Sequence, residues 1–186
     1  MIRIGVFCGA STSARPEHLE LAAATGEAIA RRGFGVVYGG ATTGLMGACA
    51  RAALGGGAPV IGVLPEALAA REIAQPGLTD LLKVVSMTER KVVMTAFADG
   101  FVVLPGGLGT LDELFEVVTL SQVGMHTKPL CVIDAGGFFT HLRAFLDRAA
   151  ADGLLQPAHA ALVRWAATPE EALDRLELGP APGAAG

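Results

Sequence analysis

The segment "LPGGLGTLDELFE", Leu104 to Glu116, sets Pro105, Gly106, Gly107 and Gly109 between an apolar run and an acidic stretch of helical composition. Glycine backbones let several N–H groups converge on one point, and a helix opened by Gly109 and Thr110 adds its dipole, so the pattern suits a phosphate cradle. A plain structural turn is the alternative reading. The Lys-Ser/Thr pair of a Walker A loop is missing, and the spacing is not GxGxxG. Glu113 falls about one turn into that helix, with Glu116 one further turn along the same face. So near a helix N-terminus a carboxylate is expected to be ionised, a base or cation stabiliser rather than an acid. Asp112 suits the solvent-facing role.

"SMTERK", Ser86 to Lys91, puts Arg90 and Lys91 just after a strand end, in a chain whose lysines are Lys83, Lys91 and Lys128. A guanidinium and an ammonium together suit a phosphate or a substrate carboxylate; a solvated helix face is the alternative. "YGGATTGLMG", Tyr38 to Gly47, repeats the glycine strategy with Gly39, Gly40, Gly44 and Gly47 around Thr42 and Thr43. Two such loops suggest a ligand stretched between them, such as a nucleotide, while close helix-to-strand packing explains Gly44 and Gly47 equally well. His18, His126, His141 and His159 form no HxxxH or HExxH unit, so no metal site is expected. No G-x-S-x-G elbow points to a serine hydrolase.

These residues need elements to hold them. Short β-rich runs are expected at 2–8, 34–40, 59–65, 81–86, 100–107, 129–134 and 161–166, with helices at 16–32, 43–55, 87–98, 110–123, 137–151 and 169–177. Strands that read as continuous apolar runs are covered by helices on both faces. The expected fold is therefore α/β, a Rossmann-like doubly wound parallel sheet in three α/β/α layers, forming a single domain over 1–178. "GPAPGAAG" at 179–186 reads as a disordered tail. Ligands of such sheets sit at the carboxyl ends of the strands, which directs attention to the loops after Cys8, Tyr38, Leu64, Ser86 and Leu104. The connection from Pro65 to Thr79 is long enough to reach over a site.

At 186 residues, 52% hydrophobic and 17% charged, the chain has material for one well-buried core. A net charge of -4 gives no overall attraction to nucleic acid or anionic membrane. Cys8, Cys49 and Cys131 lie in apolar neighbourhoods without CxxC spacing, as buried reduced thiols of a cytoplasmic protein would. The opening apolar run is too short for a signal peptide, and the longest one, 52–70, is broken by glycines and prolines and is no membrane span.

Taken together, "PGGLGTLDE" and "SMTERK" resemble the LONELY GUY (LOG) family, whose signature reads PGGxGTxxE with an upstream Arg-Lys pair. The likeness runs through "VFCGAS", "YGGATTGLMG", "IGVLPEALAAREI", "SQVGMHTKPL" and "FLDRAAADGLLQP", as far as about Glu171. It implies hydrolysis of the N-glycosidic bond of cytokinin riboside 5'-monophosphates, without a cofactor, by a homodimer with its sites near the subunit interface. Larger assemblies also occur in the family. It further implies a catalytic pair at Arg90 and Glu113, with substrate contacts at Glu72, Lys91, Gly106, Gly107, Gly109, Thr110 and Thr119. Members were long labelled possible lysine decarboxylases, yet the chain is small for pyridoxal chemistry with its Schiff-base lysine and ring partners. Thr88 stands where a His is common, Leu120 where a Trp is usual, Ala41 and Thr42 where GGS is frequent, and Asp134 where Asn is common. These departures bear on the base pocket and leave a general AMP nucleosidase, or a non-catalytic nucleotide or molybdenum-cofactor carrier, as the competing expectations.

Overall fold

A computed structural model describes residues 1–68 and 74–179. The described residues form, in chain order, β1 (Arg3–Phe7), α1 (Pro16–Arg31), β2 (Gly35–Tyr38), α2 (Gly44–Gly55), β3 (Val60–Pro65), β4 (Asp80–Val84), α3 (Met87–Phe97), β5 (Gly100–Val103), α4 (Leu108–Gln122), β6 (Leu130–Ile133), α5 (Thr140–Ala151), α6 (Pro157–Ala160), β7 (Val163–Ala166) and α7 (Pro169–Arg175). All six strand pairings are parallel, in the order β4-β3-β2-β1-β5-β6-β7. The chain winds outward from β1 to β4, then crosses back to lay β5 against the other side of β1. The loops leaving β1 and β5 therefore diverge and open the crevice in which α/β proteins bind ligands.

Strand side chains alternate between two cores, which makes the three layers. Val36, Tyr38, Val102 and Leu104 face α1, α2 and α7, whereas Val37, Phe101 and Val103 face α3, α4 and α5. Because both faces are covered, β1, β2, β5 and β6 are buried almost throughout, which is why they read as continuous apolar runs. Helices α1 and α2 approach closely at Gly26, where a Cβ would stand 2.3 Å from the Cys49 carbonyl oxygen.

Several boundaries differ from the sequence expectation. The strand expected over 100–107 stops at Val103, because the chain turns at Pro105. Helix α4 begins at Leu108 rather than 110, so Gly109 lies within it and Gly107 is its N-cap. A 3-10 turn at Ala135–Gly137 delays α5 to Thr140, and α6 was not expected. Residues 180–186 of the expected tail lie outside the described residues. Among the described residues, no helix is long and apolar enough to cross a membrane, and no group of three or more His, Cys, Asp or Glu could hold a metal ion.

Candidate active site

The carboxyl ends of β2, β1 and β5 lie side by side, and their loops are tied together. Gly9 N–H, after β1, donates to the Pro105 carbonyl (3.1 Å), and Met46 N–H, in the first turn of α2, donates to the Gly9 carbonyl (3.2 Å). The two glycine loops within this cluster do different work. After β2, Gly44 has φ +58° and a Cβ on it would lie 2.6 Å from the Ala10 carbonyl carbon, and a Cβ on Gly47 would lie 1.8 Å from the Thr42 carbonyl oxygen. That loop is packed shut. After β5, nothing among the described residues lies within 4 Å of a Cβ built on Gly107 or Gly109.

The open loop is the N-terminus of α4. Leu111 N–H already donates to the Gly107 carbonyl, no side chain among the described residues caps the helix, and the first-turn amides of Leu108, Gly109 and Thr110 have no intrahelical acceptor. Gly106 is required for a different reason: its Cβ would fall 2.0 Å from the Thr110 hydroxyl oxygen, so only glycine lets that buried side chain fold back against the turn. A cleft of about 190 Å³ opens beside the loop, lined by Ser11, His18, Leu45, Gly106, Gly107 and Phe138.

Thr110 and Glu113, three residues apart, share the buried face of α4, and Glu113 is only 4% exposed. The expectation of a plainly ionised carboxylate is corrected here. Glu113 is the sixth residue of α4, beyond the first turn where the dipole acts, and burial pushes its carboxyl up from 4.5 to about 7, against the pull of the Arg90 guanidinium. Asp112 is exposed, as expected.

Arg90 comes from α3. Ser86 caps that helix by accepting from Glu89 N–H (3.1 Å), while the Glu89 carboxylate accepts from Val85 N–H (2.7 Å), a variant of the capping box that fixes where the first turn starts. Arg90, in the next position, is 3% exposed and donates from Nη2 to the Gly39 carbonyl (2.9 Å). Gly39 makes room for it, since a Cβ there would lie 1.7 Å from Nη2. Nε of Arg90 is buried with no partner among the described residues. A buried guanidinium with unused donors, close to a buried carboxyl but not ion-paired with it, is costly unless a ligand completes its bonding.

The remaining expected residues fall elsewhere. Lys91 reaches the Asp112 carboxylate (2.9 Å) and Glu116, on the outer side of α4. Thr119 is exposed, about 13 Å beyond Thr110 along the helix, and lines a shallow cleft with Asp112, Phe115, Glu116 and Leu120. Within one chain it does not join the Glu113 group. Thr88 is exposed on the first turn of α3. Glu72 lies outside the described residues.

Two features of the site were not assigned from sequence. Cys8 is buried beside Glu113 and Arg90, its thiol pushed up by burial. Gln75 accepts from the Thr42 hydroxyl (2.8 Å) and Arg51 (3.3 Å) and donates its N–H to the Gly40 carbonyl (3.0 Å), fastening the β2 loop to the segment before β4. "VFCGAS" was the available signal for Cys8; a lone Gln offers none.

Known proteins resemble this chain over most of its length. The family model described as "Possible lysine decarboxylase" matches residues 46–176. Cytokinin riboside 5'-monophosphate phosphoribohydrolase LOG7 of Arabidopsis thaliana is 38% identical over 175 residues, covering 94% of this chain and 81% of its own. The probable enzyme of the same name LOGL9 of Oryza sativa subsp. japonica is 41% identical over 157 residues, 84% of this chain and 69% of its own. The molybdenum cofactor carrier protein of Chlamydomonas reinhardtii superposes with a TM-score of 0.73 at 20% identity, covering 95% and 96% of the two chains, a likeness of fold.

Proposed function

Because this chain belongs to the LONELY GUY family, we propose that it is a phosphoribohydrolase that releases the free base and ribose 5-phosphate from cytokinin riboside 5'-monophosphates. The observation that carries the reading is the buried Arg90 and Glu113 beside an open, uncapped helix N-terminus at the switch point of the sheet. The 5'-phosphate accepts hydrogen bonds from the free amides of Leu108, Gly109 and Thr110, helped by the Thr110 hydroxyl, and this remote anchor fixes C1' for reaction.

Cleavage transfers the electron pair of the C1'–N bond to the base and builds positive charge on the ribose. Ionised Glu113 stabilises that charge and takes a proton from the water that attacks C1'. The hydroxide equivalent ends on the sugar and a proton ends on the base, so the products balance substrate plus water. Arg90, with donors to spare, holds the departing base as it becomes electron-rich. No step calls for a Schiff-base lysine, consistent with Lys91 being engaged by two carboxylates.

A homodimer is the assembly we favour. Met87, Val92 and Phe97 on α3, and Leu108, Phe115, Val123 and Met125 on and after α4, are apolar side chains left exposed, Leu108 at 88%. Pairing through some of these side chains brings Thr119 toward the nucleotide of the other subunit. Three buried free cysteines support a reducing, cytoplasmic setting.

The deciding experiment is chromatography of products after incubation with isopentenyladenosine 5'-monophosphate and, separately, AMP, beside an Arg90→Ala control. Free base from the prenylated nucleotide, lost in the control, is expected. Equal or faster release from AMP would replace the cytokinin assignment with purine salvage, and binding without turnover would make the protein a carrier.

A further inference from the structure

The two halves of the catalytic pair stand on helices that the sheet positions separately: α3 rests across β1 to β4, and α4 beside β1. The link between them is made by side chains. Lys91 projects from α3 next to Arg90, only 14% exposed, and its ammonium lies between Asp112 (2.9 and 3.1 Å to the two oxygens) and Glu116. Asp112 and Glu116 are one turn apart on α4, and Glu113 sits between them in sequence but on the buried face. The ion-paired group carries one positive and two negative charges, a poor landing place for a phosphate.

We propose that Asp112 and Glu116 are positioning residues which, with Lys91, brace α3 against α4 and so hold Arg90 and Glu113 at their working separation. This rests on the reaction assigned above, and it gives Lys91 a different task from the direct substrate contact that family resemblance implies. Partial burial strengthens the Lys91–Glu116 half of the brace, since a pair shielded from solvent keeps more of its Coulomb energy than a surface pair; the exposed Asp112 adds a second acceptor that restricts the ammonium's rotamers.

Charge reversal separates the two roles. Lys91→Glu and Glu116→Lys should each lower kcat about 10-fold or more with KM little changed, and the double variant, which restores an opposite-charge pair, should recover to within about 3-fold of wild type. If Lys91 instead contacts substrate, the double variant stays as impaired as Lys91→Glu, with KM raised, and the brace is wrong. Asp112→Asn/Glu116→Gln tests the same point without added repulsion. Among the described residues, the titratable and charged groups acting on Glu113 are Arg90 and Lys91 from α3, Asp112 and Glu116 from α4, and Cys8 from the end of β1. Removing two of the negative charges moves the acid limb of the pH profile to lower pH, which loss of packing alone would not do.

A readout independent of turnover keeps this distinct from the reaction assignment. The NMR signal of the Arg90 Nε–H, protected from solvent exchange by burial, should lose protection in Lys91→Glu and regain it in the double variant. Unchanged protection in Lys91→Glu overturns the brace even if the wild type hydrolyses the nucleotide. Loss and recovery support it even if no substrate is turned over.

Discussion

Glu113 shows how one carboxyl acquires a working range different from its ordinary one. Burial disfavours the charged form and Asp112 and Glu116 add like charge, while Arg90 and Lys91 oppose them; the balance comes out near 7. For a group that works ionised the sign is definite: the active form is scarce below that pH and complete above it. The value of kcat/KM should therefore rise about tenfold per pH unit up to a midpoint near pH 7 and then level off, whereas an unperturbed carboxylate would place the midpoint between about 4 and 5. The profile of Glu113→Gln should lack that limb. A profile falling through pH 7 would mean that the protonated carboxyl acts as the acid on the leaving base. The identity of this residue was legible in "GTLDE", but its ionisation was not, because burial is a property of the neighbours that α4 meets.

Among the elements, the glycine loop after β2 serves Arg90, an arginine from a helix 51 residues away along the chain. The Gly39 carbonyl accepts from the guanidinium and its missing Cβ leaves the space the guanidinium fills. Gly39→Ala is thus expected to expel Arg90 and reduce kcat nearly as far as Arg90→Ala does. The two effects should not add: with the guanidinium gone, the methyl group has room, and Gly39→Ala/Arg90→Ala should be no worse than Arg90→Ala within about 2-fold. Steady-state kinetics of the three variants, beside circular dichroism to verify folding, decides it. The α3 start was readable, since Ser86 and Glu89 carry their capping chemistry in their spacing. The start of α4 is less legible, because Gly109 has weak helix propensity and reads as loop, although the backbone after Gly107 is already helical.

For the molecule as a whole, the apolar side chains left exposed on α3 and on and after α4 set the expectation of self-association. Sedimentation should give twice the 18.9 kDa chain mass or a multiple of it. Val123→Asp/Met125→Asp, at the end of α4 far from the nest, should weaken the assembly and lower activity at low protein concentration, with recovery as concentration rises. A wild type that stays monomeric at all concentrations would dismiss the dimer and leave Thr119 without a route to substrate.

The resemblance to the LONELY GUY family implied the candidate pair Arg90 and Glu113, and from sequence pattern alone came the succession of strands and helices and the parallel doubly wound sheet. These are carried by neighbours in the chain: apolar runs, glycine spacing and caps act over a few residues. The tertiary structure decided which glycine loop is open, that Lys91 is occupied by Asp112 and Glu116, that Thr119 stands apart from the nest and that Glu113 titrates near 7. Each of those depends on burial, or on charges and backbones brought together from distant parts of the chain, and neither is written in local spacing.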